Sequence, residues 1–263
     1  MGAMPIRLWS VVVDAADPPV LARFWAAALD WDILHETPDG DVVAVAAPLD
    51  QLPADTPGLV FVQVDDPKTV KNRVHLDLAT RSSDHYDAEI ARLQGIGATP
   101  VDIGQSDEVT WKVLADPEGN ELCLLRPRST YAGAGPWAAI VVDCAEPEPL
   151  ARFWSEAIGW EAKPDGDGDW GLLPPSGKGP RLELLRVPDG PKTVKNRLHL
   201  DLAPGPDGDQ AAEVARLKGL GAVPVDIGQG DDVSWVVLAD PEGNELCVLT
   251  PLASFREVCG SAS

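Results

Sequence analysis

Apolar residues along the chain alternate between strand-like runs and helix-like stripes, in the same order, four times. Leu8–Ala15 ("LWSVVVDA") is rich in β-branched residues and predicts a strand. Asp17 follows as an N-cap, Pro18 and Pro19 suit a first helical turn, and Leu21, Phe24, Trp25, Ala28 and Leu29 form one apolar stripe at helical spacing. A short strand is expected near "WDILHE", then two more at "DVVAVAA" and "GLVFVQV". The order β-α-β-β-β then repeats. "RVHLDLA" predicts a strand, and "DHYDAEIARLQGIGA" a helix with Tyr86, Ile90 and Leu93 on one face and Gly97 able to end it. "TPVDIG", "VTWKVLAD" and "ELCLLRP" are three further strands, the last two joined by a "DPEGN" turn.

The second half of the chain writes this pattern again. "PKTVKNRVHLDLA" at Pro67–Ala79 returns as "PKTVKNRLHLDLA" at Pro191–Ala203, and 21 of 26 positions agree between Pro100–Leu125 and Pro224–Leu249. "ARFW" occurs at Ala22–Trp25 and Ala151–Trp154. The expected organisation is a domain over 5–127, a Gly-rich linker at 128–135, a second domain over 136–251, and a short frayed tail at 252–263. The halves part company in one stretch, between Asp32–Asp66 and Glu161–Gly190.

Composition narrows the function. With 42 acidic and 21 basic residues the net charge is −21, which opposes binding to nucleic acid or an anionic membrane. No apolar run is long enough to span a bilayer, and the N-terminus lacks a secretory pattern. Four cysteines (Cys123, Cys144, Cys247, Cys259) without a CxxC pair predict reduced thiols and a cytoplasmic protein.

Four β-α-β-β-β modules, with "ARFW" on the first helix, "HLDL" on a strand and "DPEGNELCLL" at the end, resemble the vicinal oxygen chelate superfamily. That superfamily includes glyoxalase I, bleomycin-resistance proteins and extradiol dioxygenases, and the nearest branch is the glyoxalase-like domains. The resemblance implies an α+β fold: two tandem glyoxalase-like domains whose strands curl, module against module, into open cups. It also implies a place for a divalent metal in the enzymes. Mapped onto this chain, the first-strand ligand position falls at Ser10 and Ala139, and the last-strand glutamate position at Cys123 and Cys247. His75 and His199 remain, with Glu121 and Glu245 as displaced donors two residues before the cysteines. If a metal binds, His75 with Glu121 and His199 with Glu245 are the expected ligands. The expectation is nevertheless a cup without metal.

Arg73, His75 and Asp77 fall on one strand face, as do Arg197, His199 and Asp201 in the repeat. They are read either as a polar ligand floor, with His75 and His199 as candidate acid–base catalysts, or as salt bridges closing the sheet. Residues two apart on a strand are about 7 Å apart, so a direct His–Asp hydrogen bond is not assured. Cys123 and Cys247 are nucleophile candidates, with packing the favoured role. Lys68, Lys71 and Arg73, with Lys192, Lys195 and Arg197, form basic clusters that could meet a ligand anion or local acids. His35 and His85 have no repeat counterpart and are expected at the surface. Trp9, Trp111, Trp137 and Trp235 are candidate cup-lining aromatics, and Glu183 replaces an apolar residue, Val60, in a wall strand. Together these predict metal-independent binding of a small molecule, such as a sequestered natural product, by a monomer that is an internal pseudo-dimer, or by a homodimer. The competing expectations are a metal-dependent lyase, isomerase or dioxygenase, a metal-free acid–base catalyst, and a structural protein with filled cups.

Overall fold

The computed structural model describes residues 6–260 apart from 49, 54–55, 107–108, 167, 188–191 and 231, and only the backbone of 256 and 260. Module 1 is β1 (Arg7–Ala15), α1 (Pro18–Leu29), β2 (Asp32–Glu36), β3 (Val42–Ala46) and β4 (Gly58–Gln63). Module 2 is β5 (Val74–Leu78), α2 (Ser83–Gly95), β6 (Thr99–Pro100), β7 (Trp111–Ala115) and β8 (Glu121–Leu125). A 3-10 turn at Ser129–Tyr131 leads to module 3: β9 (Trp137–Cys144), α3 (Pro147–Ile158), β10 (Glu161–Pro164), β11 (Trp170–Leu173) and β12 (Arg181–Arg186). Module 4 is β13 (Leu198–Ala203), α4 (Gln210–Leu220), β14 (Val223–Pro224), β15 (Val236–Ala239) and β16 (Glu245–Val248), and α5 (Phe255–Gly260) follows. The local signals act as expected. The Asp17 carboxylate accepts from Val20 N at 3.0 Å, and Gly97 takes φ +120° just beyond α2. The strand expected over "TPVDIG" is only Thr99–Pro100.

Each repeat sends its two modules to different sheets. One eight-stranded sheet runs β14-β15-β16-β13-β1-β4-β3-β2 and joins modules 1 and 4. The other runs β10-β11-β12-β9-β5-β8-β7-β6 and joins modules 2 and 3. The joints are the antiparallel pairs β1–β13 and β5–β9. We call the cups the outer cup (modules 1 and 4) and the inner cup (modules 2 and 3). One strand face, bearing Val11, Val13, Val74, Leu76, Leu198 and Leu200, is buried in the main core with the helices, and the other faces the cup.

The repeat motifs hold this arrangement together. The Asp116 carboxylate that organises the "DPEGN" turn accepts from Glu118 N, Asn120 N and Asn120 Nδ2, and also from Trp25 Nε1 of "ARFW" at 3.1 Å. Asp240 receives Trp154 Nε1 in the same way at 3.3 Å. Arg92 caps the end of α1 through Ala27 O and Ala28 O, and Arg216 does so for α3 through Glu156 O and Ala157 O. Burial makes the two Trp–Asp links strong, because an unpaired indole N–H or carboxylate there costs about 1–3 kcal/mol.

Of the tail expected to be frayed, residues 252–260 are ordered against the sheet, and 261–263 lie outside the described residues. Leu252 N donates to Pro204 O, Arg7 donates to Leu252 O at 2.7 Å and to Ala253 O, and Trp9 Nε1 donates to Ala253 O at 3.1 Å. Phe255 is buried against Trp9, Ala44, Ala46 and Ala203. The apolar side chains of this short segment find a sheet face to cover, and no local sequence rule anticipates that.

Candidate functional site

Pairing Asp77 with Cys123 across β5 and β8 sets a histidine, a carboxylate and a thiol side by side in the inner cup. His75 Nε2 lies 3.5 Å from Asp77 Oδ1, too far for a good hydrogen bond, and the Cys123 thiol bonds to Asp77. Donor atoms of His75, Asp77 and Cys123 all lie within 4.8 Å of one another, and the outer cup repeats the cluster with His199, Asp201 and Cys247. There Ser10, at the first-strand position, donates to Asp201 at 3.4 Å. All six residues are buried. Among the described residues, His75 Nδ1, Asp77 Oδ1, His199 Nδ1 and Asp201 Oδ1 have no hydrogen-bond partner.

Burial sets the protonation states. It holds both imidazoles down at about 3, with Lys71 adding to the effect on His75 and Lys195 on His199. Asp77 is pushed well above the carboxylate range by burial and then by Glu183, and Asp201 rises to about 7 by burial. The Cys123 and Cys247 thiols are raised by burial and by the neighbouring carboxylates, the reverse of what an activated nucleophile needs. In the inner row the imidazole is therefore held neutral, and the carboxyl and the thiol are both shifted toward their protonated forms.

The other sequence candidates divide between cup and frame. Glu121, expected beside His75, instead pairs with Lys68 at 2.7 Å and accepts from Asn72 N. Glu245 is held by Lys192 and Asn196 N. Arg73 and Arg197 cross between the cups: Arg73 reaches Asp143 O and Glu242, while Arg197 reaches Asp14 O, Glu118 and Asp66 O. Lys71 pairs with Asp143 and Lys195 with Asp14, so the basic clusters meet local acids. Glu118 and Glu242 also take the backbone N–H groups at the starts of α1 and α3, namely Ala16 and Asp17, and Ala145 and Glu146. The doubled polar stretch is thus the fastening between cups, and its two copies line a cleft of about 540 Å³ between them. Trp9 lines the outer cup and Trp111 packs at the inner one. Trp137 does not face a cup. It is fully buried in the main core against Trp31, at 5.5 Å between ring centres. A bulge in β9, where Asp77 pairs with Ala139 and Leu78 with Trp137, shifts the alternation. Trp235 is 39% exposed. His35 and His85 are partly buried, outside both rows.

The walls differ. Gly58 pairs with Ser10 in the outer cup, and Arg181 with Ala139 in the inner cup. The same register sets Val60 against Glu183. Eight residues after the row cysteine come Tyr131 in the inner cup and Phe255 in the outer. Tyr131 Oη lies 2.9 Å from Glu183, and the Arg181 guanidinium stands 3.6 Å from Glu183 and from Asp165. Among the described residues Arg181 Nε has no partner. Burial raises both the Glu183 carboxyl and the Tyr131 phenol. Sequence reasoning found Glu183 but missed Arg181, Tyr131 and Phe255. The equal spacing of Tyr131 and Phe255 from the repeat cysteines was the available signal, obscured because one lay in the expected linker and the other in the expected tail.

Two matches to the sequence pattern of the glyoxalase-like domain span residues 10–125 and 139–249. The chain belongs to the glyoxalase-like domain family. No curated protein matches its sequence. Glyoxalase I from Zea mays shares the fold with a TM-score of 0.62 at 14% identity, over 93% of this chain and 92% of that one. A putative dioxygenase from Bacillus subtilis subsp. subtilis str. 168 matches with a TM-score of 0.62 at 12% identity, over 97% of this chain and 88% of that one. In this glyoxalase-like protein the three donors that could hold a metal are one nitrogen, one oxygen and one sulfur per cup. Their number and mutual distances fit a divalent ion of borderline softness with an open position. Such an ion would need the carboxyl and the thiol as anions, so their upward shifts would work against its uptake at lower pH.

Proposed function

We propose that the inner cup binds a small, partly polar organic molecule and does not require a metal to do so. The inner wall carries this reading: Arg181, Glu183 and Tyr131 stand buried where the outer cup has Gly58, Val60 and Phe255. Buried groups such as Arg181 Nε, His75 Nδ1 and Asp77 Oδ1 are costly to leave unpaired, at about 1–3 kcal/mol each. A ligand with matching donors and acceptors removes that cost. Trp111, Val113 and Leu125 add an apolar flank, so the complementary ligand is amphipathic. Sequestration of a natural product, by a chain whose duplication supplies both partners of each cup, is the simplest form of this activity. The test is calorimetric titration of amphipathic natural products into the wild type and into the Arg181→Gly/Glu183→Val double variant. Binding confined to the wild type supports the site, and equal binding by both removes it.

The second reading is an enzyme using a divalent metal on His75, Asp77 and Cys123, favoured by the convergence of those donors. The metal would supply Lewis acidity. This chain would orient a substrate with Arg181 and exchange a proton at Glu183 Oε or Tyr131 Oη. Elemental analysis after incubation with Zn, Fe, Mn, Ni and Co, on the wild type, His75→Ala and His199→Ala, separates the readings. Stoichiometric metal lost from His75→Ala puts the enzyme first. No uptake leaves the metal-free cup.

A further inference from the structure

The outer cup carries the same His–Asp–Cys row as the inner one, yet a piece of the chain's own C-terminus sits in it. Phe255 is 2% exposed, its ring centre 4.5 Å from that of Trp9 and its plane tilted 56° to it. It lies directly over Gly58: a Cβ built there would fall 2.1 Å from Phe255 Cε1. The glycine is therefore a notch whose shape is that of an aromatic ring. The rest of the lining is apolar, with Ala44, Ala46, Val60, Leu249 and Leu252 around the ring. Its polar anchorage is through backbone: Arg7 and Trp9 hold the carbonyls of Leu252 and Ala253, and Phe255–Gly260 form one short helix. The segment docks through the Phe255 ring, with Leu252, Val258 and Cys259 packed beside it, and through these hydrogen bonds, so it can open locally while both sheets stay paired.

We infer that the outer cup is a binding site for a flat aromatic group, and that Phe255 occupies it as an internal pseudo-ligand which an external aromatic molecule displaces. The segment after β16 then acts as a plug, coupling ligand entry to release of residues 254–260. The inference concerns the outer cup and stands whether or not the inner cup binds anything. The two cups would serve different chemistry: a polar ligand beside Arg181 and Glu183, and an apolar ring between Trp9 and Gly58.

Trypsin cleavage after Arg256, followed by mass spectrometry of the intact chain, reads displacement of the plug, and indole serves as the aromatic probe. Wild type alone should be cut slowly, and saturating indole should raise the rate at least tenfold. Gly58→Ala, which forces the ring out of its notch, should be cut at least tenfold faster without indole. Calorimetry should show Phe255→Ala binding indole at least tenfold more tightly than wild type, with Trp9→Ala in that background removing the gain. Equal cleavage rates for wild type, wild type with indole and Gly58→Ala would overturn the plug. Indole binding by Phe255→Ala that survives loss of Trp9 would overturn the site. Should Phe255→Ala fail to fold, the cleavage rates of wild type and Gly58→Ala decide alone.

Discussion

The outer and inner cups share topology, joint and a His–Asp–Cys row, and they differ in what stands over that row. In the outer cup Gly58, Val60 and Phe255 make an apolar notch filled by a ring. In the inner cup Arg181, Glu183 and Tyr131 make a buried polar wall. The lesson is that the row belongs to the frame shared by both repeats, while the cups diverge at two wall positions and at one aromatic on the segment leaving the last strand.

The comparison can be broken most directly at the aromatics. Phe255→Ala should cost about 4 kcal/mol in urea denaturation, because a well-packed ring leaves a cavity, whereas Tyr131→Phe should cost about 1 kcal/mol, the worth of a hydrogen bond. Equal losses for the two would mean that the cups are not filled differently. Next comes the inner pair. Arg181→Ala leaves Glu183 buried without its cation and should destabilise by about 3 kcal/mol, with Arg181→Gly/Glu183→Val recovering most of that loss. Simple additivity of the single variants would show that the two groups do not act as a pair.

The shared joint sharpens the comparison from the other side. Glu118→Gln and Glu242→Gln remove equivalent clamps, Glu118 from Arg197 and the start of α1, Glu242 from Arg73 and the start of α3. Each should cost about 2 kcal/mol, and a large inequality would show that one cup depends more on the fastening.

A further contrast is a pH dependence. His199 is depressed to about 3, so its contribution is full above its unfolded value near 6.5 and is lost as pH falls toward 3. Asp201 is raised to about 7, so its contribution is present below about 3.8 and is lost as pH rises toward 7. Between roughly pH 4 and 6.5 the two nearly cancel. Asp201→Asn removes one side of that balance, so its stability relative to wild type should fall by about 1.4 kcal/mol per unit as pH drops through this window. Denaturation midpoints across the window read the slope, and a flat difference would mean that the Asp201 carboxyl is not raised in the folded protein.

Much of this was legible in the sequence because it is local or repeated. Helix α1 follows from Asp17, two prolines and a stripe, and the turn before β8 from Asp116, Pro117 and Gly119. The family followed from motifs that occur twice. His75 and Asp77 were found on one face by alternation along their strand, and Cys123 by its place in the family pattern. Trp137 was misplaced because a bulge shifts that alternation, and Glu121 because its lysine and amide partners lie far off in sequence. Arg181 passed unnoticed since an arginine at a strand start is ordinarily exposed, and here a second module buries it.

The sequence by itself determined the four modules, their duplication and the row of imidazole, carboxylate and thiol, all of which depend on neighbours within a few residues or on identity between repeats. Tertiary structure alone decided that modules pair as first with fourth and second with third, since all four offer similar edge strands and the paired modules are tied by long-range contacts such as Lys71–Asp143 and Lys195–Asp14. It also decided which cup stays polar and which is plugged. That outcome depends on a glycine notch and a ring brought together from positions 58 and 255, a separation across which no sequence period operates.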